Sequence, residues 1–228
     1  MEIDTAALKG KGFFQQIQKD KFSLRLCTSG GTTSTGYLKK AIEIADIYGK
    51  GQIHFTTRQQ IEIPYITAEN VDAVQKLLSD ANIRSSTVGP RVRTVSACLG
   101  AAVCKFGQIE TGELANEIHD KYSGRELPAK LKIAITGCKN NCAKVEANDI
   151  GIRGTSHGYM MYFGGCFGHE IRVGKPFLPV LKEKDTVLKV IEYTVNFFVS
   201  NAAKGERLGK LIDRIGIDVF KKAIEFAV

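Results

Sequence analysis

Two cysteine pairs, each lying directly behind an apolar, strand-like run, constrain this chain more than any other feature. Cys98 and Cys104 follow residues 92–97 and are separated by five residues; Cys138 and Cys142 follow residues 131–136 and are separated by three. Adjacent strands would deliver both pairs to one end of a sheet. Four thiols converging there suit a soft metal centre. Zinc ribbons and fingers space their paired ligands by two to four residues, so the first pair suits zinc poorly. Four cysteines are the usual ligand set of a [4Fe–4S] cluster, and loops of five and three residues suit that wider cubane. The remaining alternative is four unrelated core thiols.

The other two of the six cysteines are Cys27 and Cys166. In a reducing compartment cysteines act as ligands or core residues more often than as disulfides. The first 22 residues have neither the apolar centre nor the cleavage site of a signal peptide, and no apolar run is long enough to span a bilayer. The expected location is the cytoplasm. The formal net charge of +8 fits either plain solubility or a basic cleft for an anionic partner. Nucleic acid is not expected, because the chain has no Lys/Arg block, no aromatic RNA-binding set and no zinc-finger spacing.

The fold class read from periodicity is α+β. Residues 22–27 read as a strand, followed by a helix capped by Ser34 or Thr35, ending at Gly49, with Leu38, Ala41, Ile42 and Ala45 as its apolar stripe. Strands are expected at 52–56 and 61–65, a helix at 68–81 with Val71, Val74 and Leu78 on one face, and a short strand at 83–88 closing a split β-α-β unit of ferredoxin-like type. Gly89-Pro90 is the expected boundary, giving domains 1–88 and 89–228. Beyond it, strands are expected at 92–97, 131–136, 150–153, 159–163 and 170–173. A helix is expected at 111–122 with Leu114, Ile118 and Tyr122 aligned, and a helical tail from 185 broken near Gly205 and Gly216. The four histidines, His54, His119, His157 and His169, show no ligand spacing and read as structural.

CLGAAVC followed by TGCKNNCA resembles the sirohaem and [4Fe–4S] segment of the sulfite and nitrite reductase family, including its assimilatory-type and dissimilatory-like sulfite reductases. GKGQIHFTTRQQIEIPYI resembles that family's ferredoxin-like half-domain. GPRVRTVSAC resembles the segment leading to its cluster, and GYMMYFGGCFG and KGERLGKLIDRIG its later glycine loop and closing helix. The resemblance covers nearly the whole chain. It implies an N-terminal ferredoxin-like half-domain and a sirohaem and [4Fe–4S] domain, with Cys98, Cys104, Cys138 and Cys142 as cluster ligands. Cys142 would also reach the sirohaem iron, so that one sulfur joins the electron store to the catalytic iron.

Four basic residues fall where the family keeps its substrate-binding and proton-supplying side chains: Arg58 in TTRQ, Arg93 in VRTVSAC, and Lys130 and Lys132 in LPAKLKIAI. Lys130 and Lys132 alternate on an expected strand and would share a face. An arginine fork and a lysine charge suit an oxyanion. Asn140 is expected as a loop former and donor to the cofactors, Thr57 and Gln60 as contacts to tetrapyrrole carboxylates, and Gly164 and Gly165 as glycines admitting close approach of backbone to cofactor. Lys139 and Asn141 stand where the family usually has proline and glycine. The resemblance implies reduction of sulfite to sulfide, or of nitrite to ammonia, with electrons from an external donor such as ferredoxin. The alternatives are a sirohaem and [4Fe–4S] electron-transfer protein without turnover, or a cluster-only module. Many relatives carry two copies of this unit with sites drawing on both, so a single copy leads to the expectation of a homodimer.

Overall fold

The structure is a computed structural model. It describes residues 4–225 and divides into two compact units, Met1–Val88 and Gly89–Val228. The first unit is a four-stranded antiparallel sheet in the order β1 (Phe13–Gln15), β2 (Lys21–Leu26), β4 (Ile61–Thr67), β3 (His54–Phe55). A short helix, α1 (Thr5–Gly10), precedes it and is capped by the Asp4 carboxylate. In α2 (Thr35–Tyr48) the Ser34 hydroxyl accepts the Tyr37 N–H at 3.1 Å, and Gly49 closes the end. The buried face holds Ala41, Ile44 and Ala45, with Tyr37 and Tyr48 packed at its margins. Ile42, expected on that stripe, is 44% exposed. The face is centred one step around the helix from the predicted line, which turns Ile42 outward and brings Ile44 in.

α3 (Val71–Asp80) buries Val71, Val74 and Leu78 as its spacing predicts. It begins three residues later than expected because Ala68–Asn70 forms a single tighter turn. The strand expected at 83–88 is absent. Ser85 makes only an isolated bridge to Leu26, while the Cys27 N–H donates to Arg84 O and the Ser86 N–H to Arg25 O. The edge of β2 is shared between that bridge and β1, so neither partner runs long. β3 likewise shrinks to two exposed residues.

The second unit holds a five-stranded sheet, ordered β11 (Lys175–Pro176), β8 (Gly158–Phe163), β7 (Ile150–Thr155), β6 (Ile133–Thr136), β5 (Ser96–Ala97). The β5–β6 and β6–β7 pairs are parallel; β7–β8 and β8–β11 are antiparallel. The parallel β5–β6 pair needs a crossover, supplied by α4 (Thr111–Tyr122), which buries Leu114, Ile118 and Tyr122. Of the strand expected at 92–97, only its last two residues pair regularly. Upstream, Val92 forms an isolated bridge with Leu131. Lys130 and Lys132 therefore flank a bridge residue instead of alternating along a strand. A small hairpin, β9 (Cys166–Phe167) and β10 (Ile171–Arg172), stands apart from the main sheet. α5 (Lys184–Asn201), α6 (Leu208–Ile215) and α7 (Ile217–Glu225) follow. Phe220 of α7 packs edge-on against Phe163, Phe177 and Phe197, which seals the helices onto the sheet.

Candidate functional site

Parallel strands place both cysteine pairs at one sheet end. Ala97 pairs with Ile135, so Cys98 leaves β5 beside the point where residues 137–142 leave β6. The contact is direct: the Gly137 N–H donates to Cys98 Sγ at 3.1 Å, and Thr136 Oγ1 lies 3.7 Å from the same sulfur. The Cys98 N–H donates to Ile135 O at 3.2 Å, and its carbonyl accepts Thr111 Oγ1. The first loop is folded back by Cys104 N–H to Gly100 O and Gly107 N–H to Cys104 O, both 2.8 Å. All six cysteines are free thiols; Cys138 is buried, Cys98 half-buried, and Cys104 and Cys142 exposed. Among the described residues no group of three or more His, Cys, Asp or Glu is arranged to hold a single metal ion. The donor set itself, four thiols in two loops at adjacent strand ends with an amide already aimed at one sulfur, fits the chemistry of an iron–sulfur cluster.

The Cys138–Cys142 loop is shaped by Asn141. Asn141 has φ of +54°, in the left-handed region that asparagine enters more readily than most residues. Asparagine therefore suits a position where the resemblance implied glycine. Its side chain accepts the Val145 N–H at 2.9 Å and donates to the Glu146 carboxylate, which in turn meets Arg153 at 3.2 Å. Asn140 and Cys138 line a cleft of about 470 Å³ together with Lys105, Lys139 and Arg153.

A larger cleft of about 770 Å³ in the second unit gathers Arg93, Lys130 and Lys132, three of the four basic residues singled out above, with Lys204, Arg207 and Lys210. Glu170 is the one carboxylate on its lining, and it is paired with Lys210 at 2.7 Å. Six lysines and arginines facing one paired carboxylate make a site for a polyanion or an oxyanion. Beneath the lining lies Asp149, fully buried. Its carboxylate accepts the Lys132 N–H at 2.7 Å and a two-pronged contact from Arg207, Nε at 3.0 Å and Nη2 at 2.7 Å. Burial pushes the Asp149 carboxyl above its ordinary range, and Arg207 and the Lys132 N–H pull it back. Arg207, Asp149, Lys204 and Lys210 were not anticipated as site residues. KGERL was visible as a motif, but no periodicity marks the Asp149 within residues 147–152. Cys166 is no core thiol: it is half-buried, lines the cleft and accepts Arg207 Nη1 at 3.3 Å. His169 also lines the cleft and is exposed.

The remaining candidates are placed as follows. Thr57 and Arg58 occupy a turn of the first unit, Thr57 exposed and Arg58 half-buried, with the Arg58 N–H on Thr56 Oγ1. Gln60 is 3% exposed, and its amide donates to the carbonyls of Thr28 and Arg58. It shapes the loop that carries Arg58. Gly164 and Gly165 are packed against the chain's own backbone. Both are buried. A Cβ on Gly165 would collide with the Glu146 carbonyl and sit 2.6 Å from the Asn148 carbonyl; one on Gly164, whose φ is +80°, would lie 3.1 Å from Gly209 Cα.

Residues 88–227 match the nitrite and sulphite reductase 4Fe-4S domain, and residues 14–81 the nitrite/sulfite reductase ferredoxin-like half domain. The assimilatory-type sulfite reductase of Nitratidesulfovibrio vulgaris is 27% identical over 211 residues, covering 91% of this chain and 95% of that protein. The nitrite reductase [NAD(P)H] of Bacillus subtilis is 29% identical over 203 residues, 88% of this chain. The coenzyme F420-dependent sulfite reductase of Methanocaldococcus jannaschii is 34% identical over 128 residues, 56% of this chain. The chain spans only 25% and 20% of the length of the last two proteins. Two solved structures share the fold, each with a TM-score of 0.83: dissimilatory sulfite reductase I, at 14% identity over 91% of this chain and 69% of that one, and the NirA protein of Mycobacterium tuberculosis, at 20% identity over 96% and 45%. With both of its units matched, the chain belongs to the nitrite and sulphite reductase family.

Proposed function

We propose that this protein reduces sulfite to sulfide, with nitrite as the alternative substrate, using a [4Fe–4S] cluster on Cys98, Cys104, Cys138 and Cys142 and a sirohaem reached through Cys142. The observation that carries the reading is the pairing of two features in one unit: four thiols at adjacent parallel strand ends, and a cleft in which six cations face one paired carboxylate. Sirohaem and the cluster, when bound, supply the iron that holds the oxyanion and the store that feeds it electrons.

The chain's own residues do the rest. Arg93 offers a planar fork to oxyanion oxygens, and Lys130 and Lys132 bring compact charges and transferable protons. Loss of oxygen from sulfite consumes protons and builds negative charge, and positioned ammonium groups lower both costs. Arg58, in the first unit, is assigned the same duty on family resemblance. The Gly137 N–H already donates to the Cys98 sulfur, the kind of backbone contact that orients and tunes a ligand sulfur around a cluster. Electrons come from a separate carrier protein such as a ferredoxin, and the working form is a homodimer.

Protein purified without oxygen tests this directly. Iron and acid-labile sulfide are counted per chain, the tetrapyrrole is extracted into acidified acetone, and sulfite and nitrite are offered with a reduced viologen dye. Sirohaem, a four-iron cluster and sulfide production are expected. A protein that takes up no tetrapyrrole from a host supplied with sirohaem, or that carries both groups and reduces neither anion, overturns the proposal.

A further inference from the structure

One carboxylate organises the basic cleft. Asp149 has no exposed surface, and a buried ion persists only where partners meet it. The Lys132 N–H is one partner, and the Ile150 N–H donates in return to the Lys132 carbonyl at 3.1 Å. Both backbone polar groups of Lys132 are thus tied to residues 149 and 150. Arg207 spends Nε and Nη2 on the same carboxylate, which leaves Nη1 directed at Cys166 Sγ, 3.3 Å away on the cleft lining. The Gly164 N–H donates to the Asp149 carbonyl at 2.8 Å, so the turn that leads to Cys166 is anchored to the same residue.

We propose that Asp149 is the positioning residue of the cleft, fixing Lys132 and Arg207 relative to each other, and that Arg207 is a further binding cation whose Nη1 meets a small oxyanion alongside Lys132. This rests on the anion-reducing reading of the cleft given above. A guanidinium held by two parallel bonds to a buried carboxylate is oriented before any ligand arrives, so little freedom is lost on binding. The competing account is a staple: Arg207 stands at the start of α6, and its pair with Asp149 would then serve only to fasten that helix.

Glu206 separates the two accounts. It stands beside Arg207 ahead of α6, pairs at 2.7 Å with Arg214 of that helix's last turn, and does not line the cleft. Anaerobic holoprotein is titrated with sulfite by calorimetry and melted in parallel, as wild type, R207K, D149N and E206Q. Lysine keeps the charge of Arg207 but cannot grip both carboxylate oxygens and still present a third donor. R207K and D149N are expected to bind sulfite at least tenfold more weakly, with KM raised more than kcat is lowered. E206Q is expected to melt earlier with unchanged sulfite affinity. If R207K also melts earlier and binds sulfite as wild type does, Arg207 is a staple and the proposal fails. Should D149N not accumulate as folded protein, R207K decides alone. A wild-type protein that binds no oxyanion sinks the functional reading and this proposal with it, whereas wild-type binding with unaltered variants sinks this proposal only.

Discussion

At the scale of single residues, the sharpest claims concern Lys132 and Gly165. Lys132 is half-buried, lines the cleft and has its backbone fixed at both ends. Lys132→Met should leave iron and tetrapyrrole content unchanged while turnover falls on the order of 100-fold or more, the usual size of a positioned proton donor's contribution. Unchanged turnover in a dye-linked assay would remove it from the mechanism. Gly165 makes a structural prediction. Any side chain there meets two carbonyl oxygens of the 146–148 turn, so Gly165→Ala should cost about 2–3 kcal/mol, read as a lower melting temperature. Cys142→Ser should abolish the four-iron count. A full complement of iron and sulfide in that variant would show that the cluster lies elsewhere.

Among the secondary-structure elements, legibility followed length and periodicity. α4 was readable to the residue because a twelve-residue helix repeats its apolar face three times. β5 was not, because two paired residues carry no period, and the apolar run before it is buried without regular pairing. The cysteine loops could be located from spacing and strand context alone. The basic set was legible only through resemblance, since any one lysine in a sequence looks like a solvated charge. Asp149 was hidden for a different reason: its partner Arg207 lies 58 positions away, and no local rule links them. The start of α6 carries a pH prediction. Hydrogen bonds from Arg214 and the Ala203 N–H hold the Glu206 carboxyl down to about 2, from an ordinary 4.5. A carboxyl depressed on folding adds stability above its unfolded value, and that increment fades as pH falls through the interval toward 2. Melting curves of wild type and Glu206→Gln should therefore differ at neutral pH and draw together on acidification below about 4.5. A gap that stays constant with pH would show that the carboxylate's charge is not what stabilises this turn.

At the scale of the whole molecule, these residues carry one match to the half-domain model and one to the cluster-domain model. The Nitratidesulfovibrio vulgaris relative matches this chain over 95% of its length, so a protein with a single copy has a precedent in the family. The two-fold association proposed above would let two copies of this unit supply both halves of each site. Sedimentation of the holoprotein should give a dimer, and a monomer with full turnover would show that each chain folds around its own cofactors. No helix among the described residues is long and apolar enough to cross a membrane.

The parallel pairing of β5 with β6 also fixes an order of events in the life of the protein. Thirty-three residues, including all of α4, lie between Cys104 and Cys138, and Ala97 must find Ile135 across that crossover before the two pairs face each other. Contacts so far apart in sequence form late. The four proposed ligands therefore face one another only where this crossover is closed, with Cys104 and Cys142 at the surface.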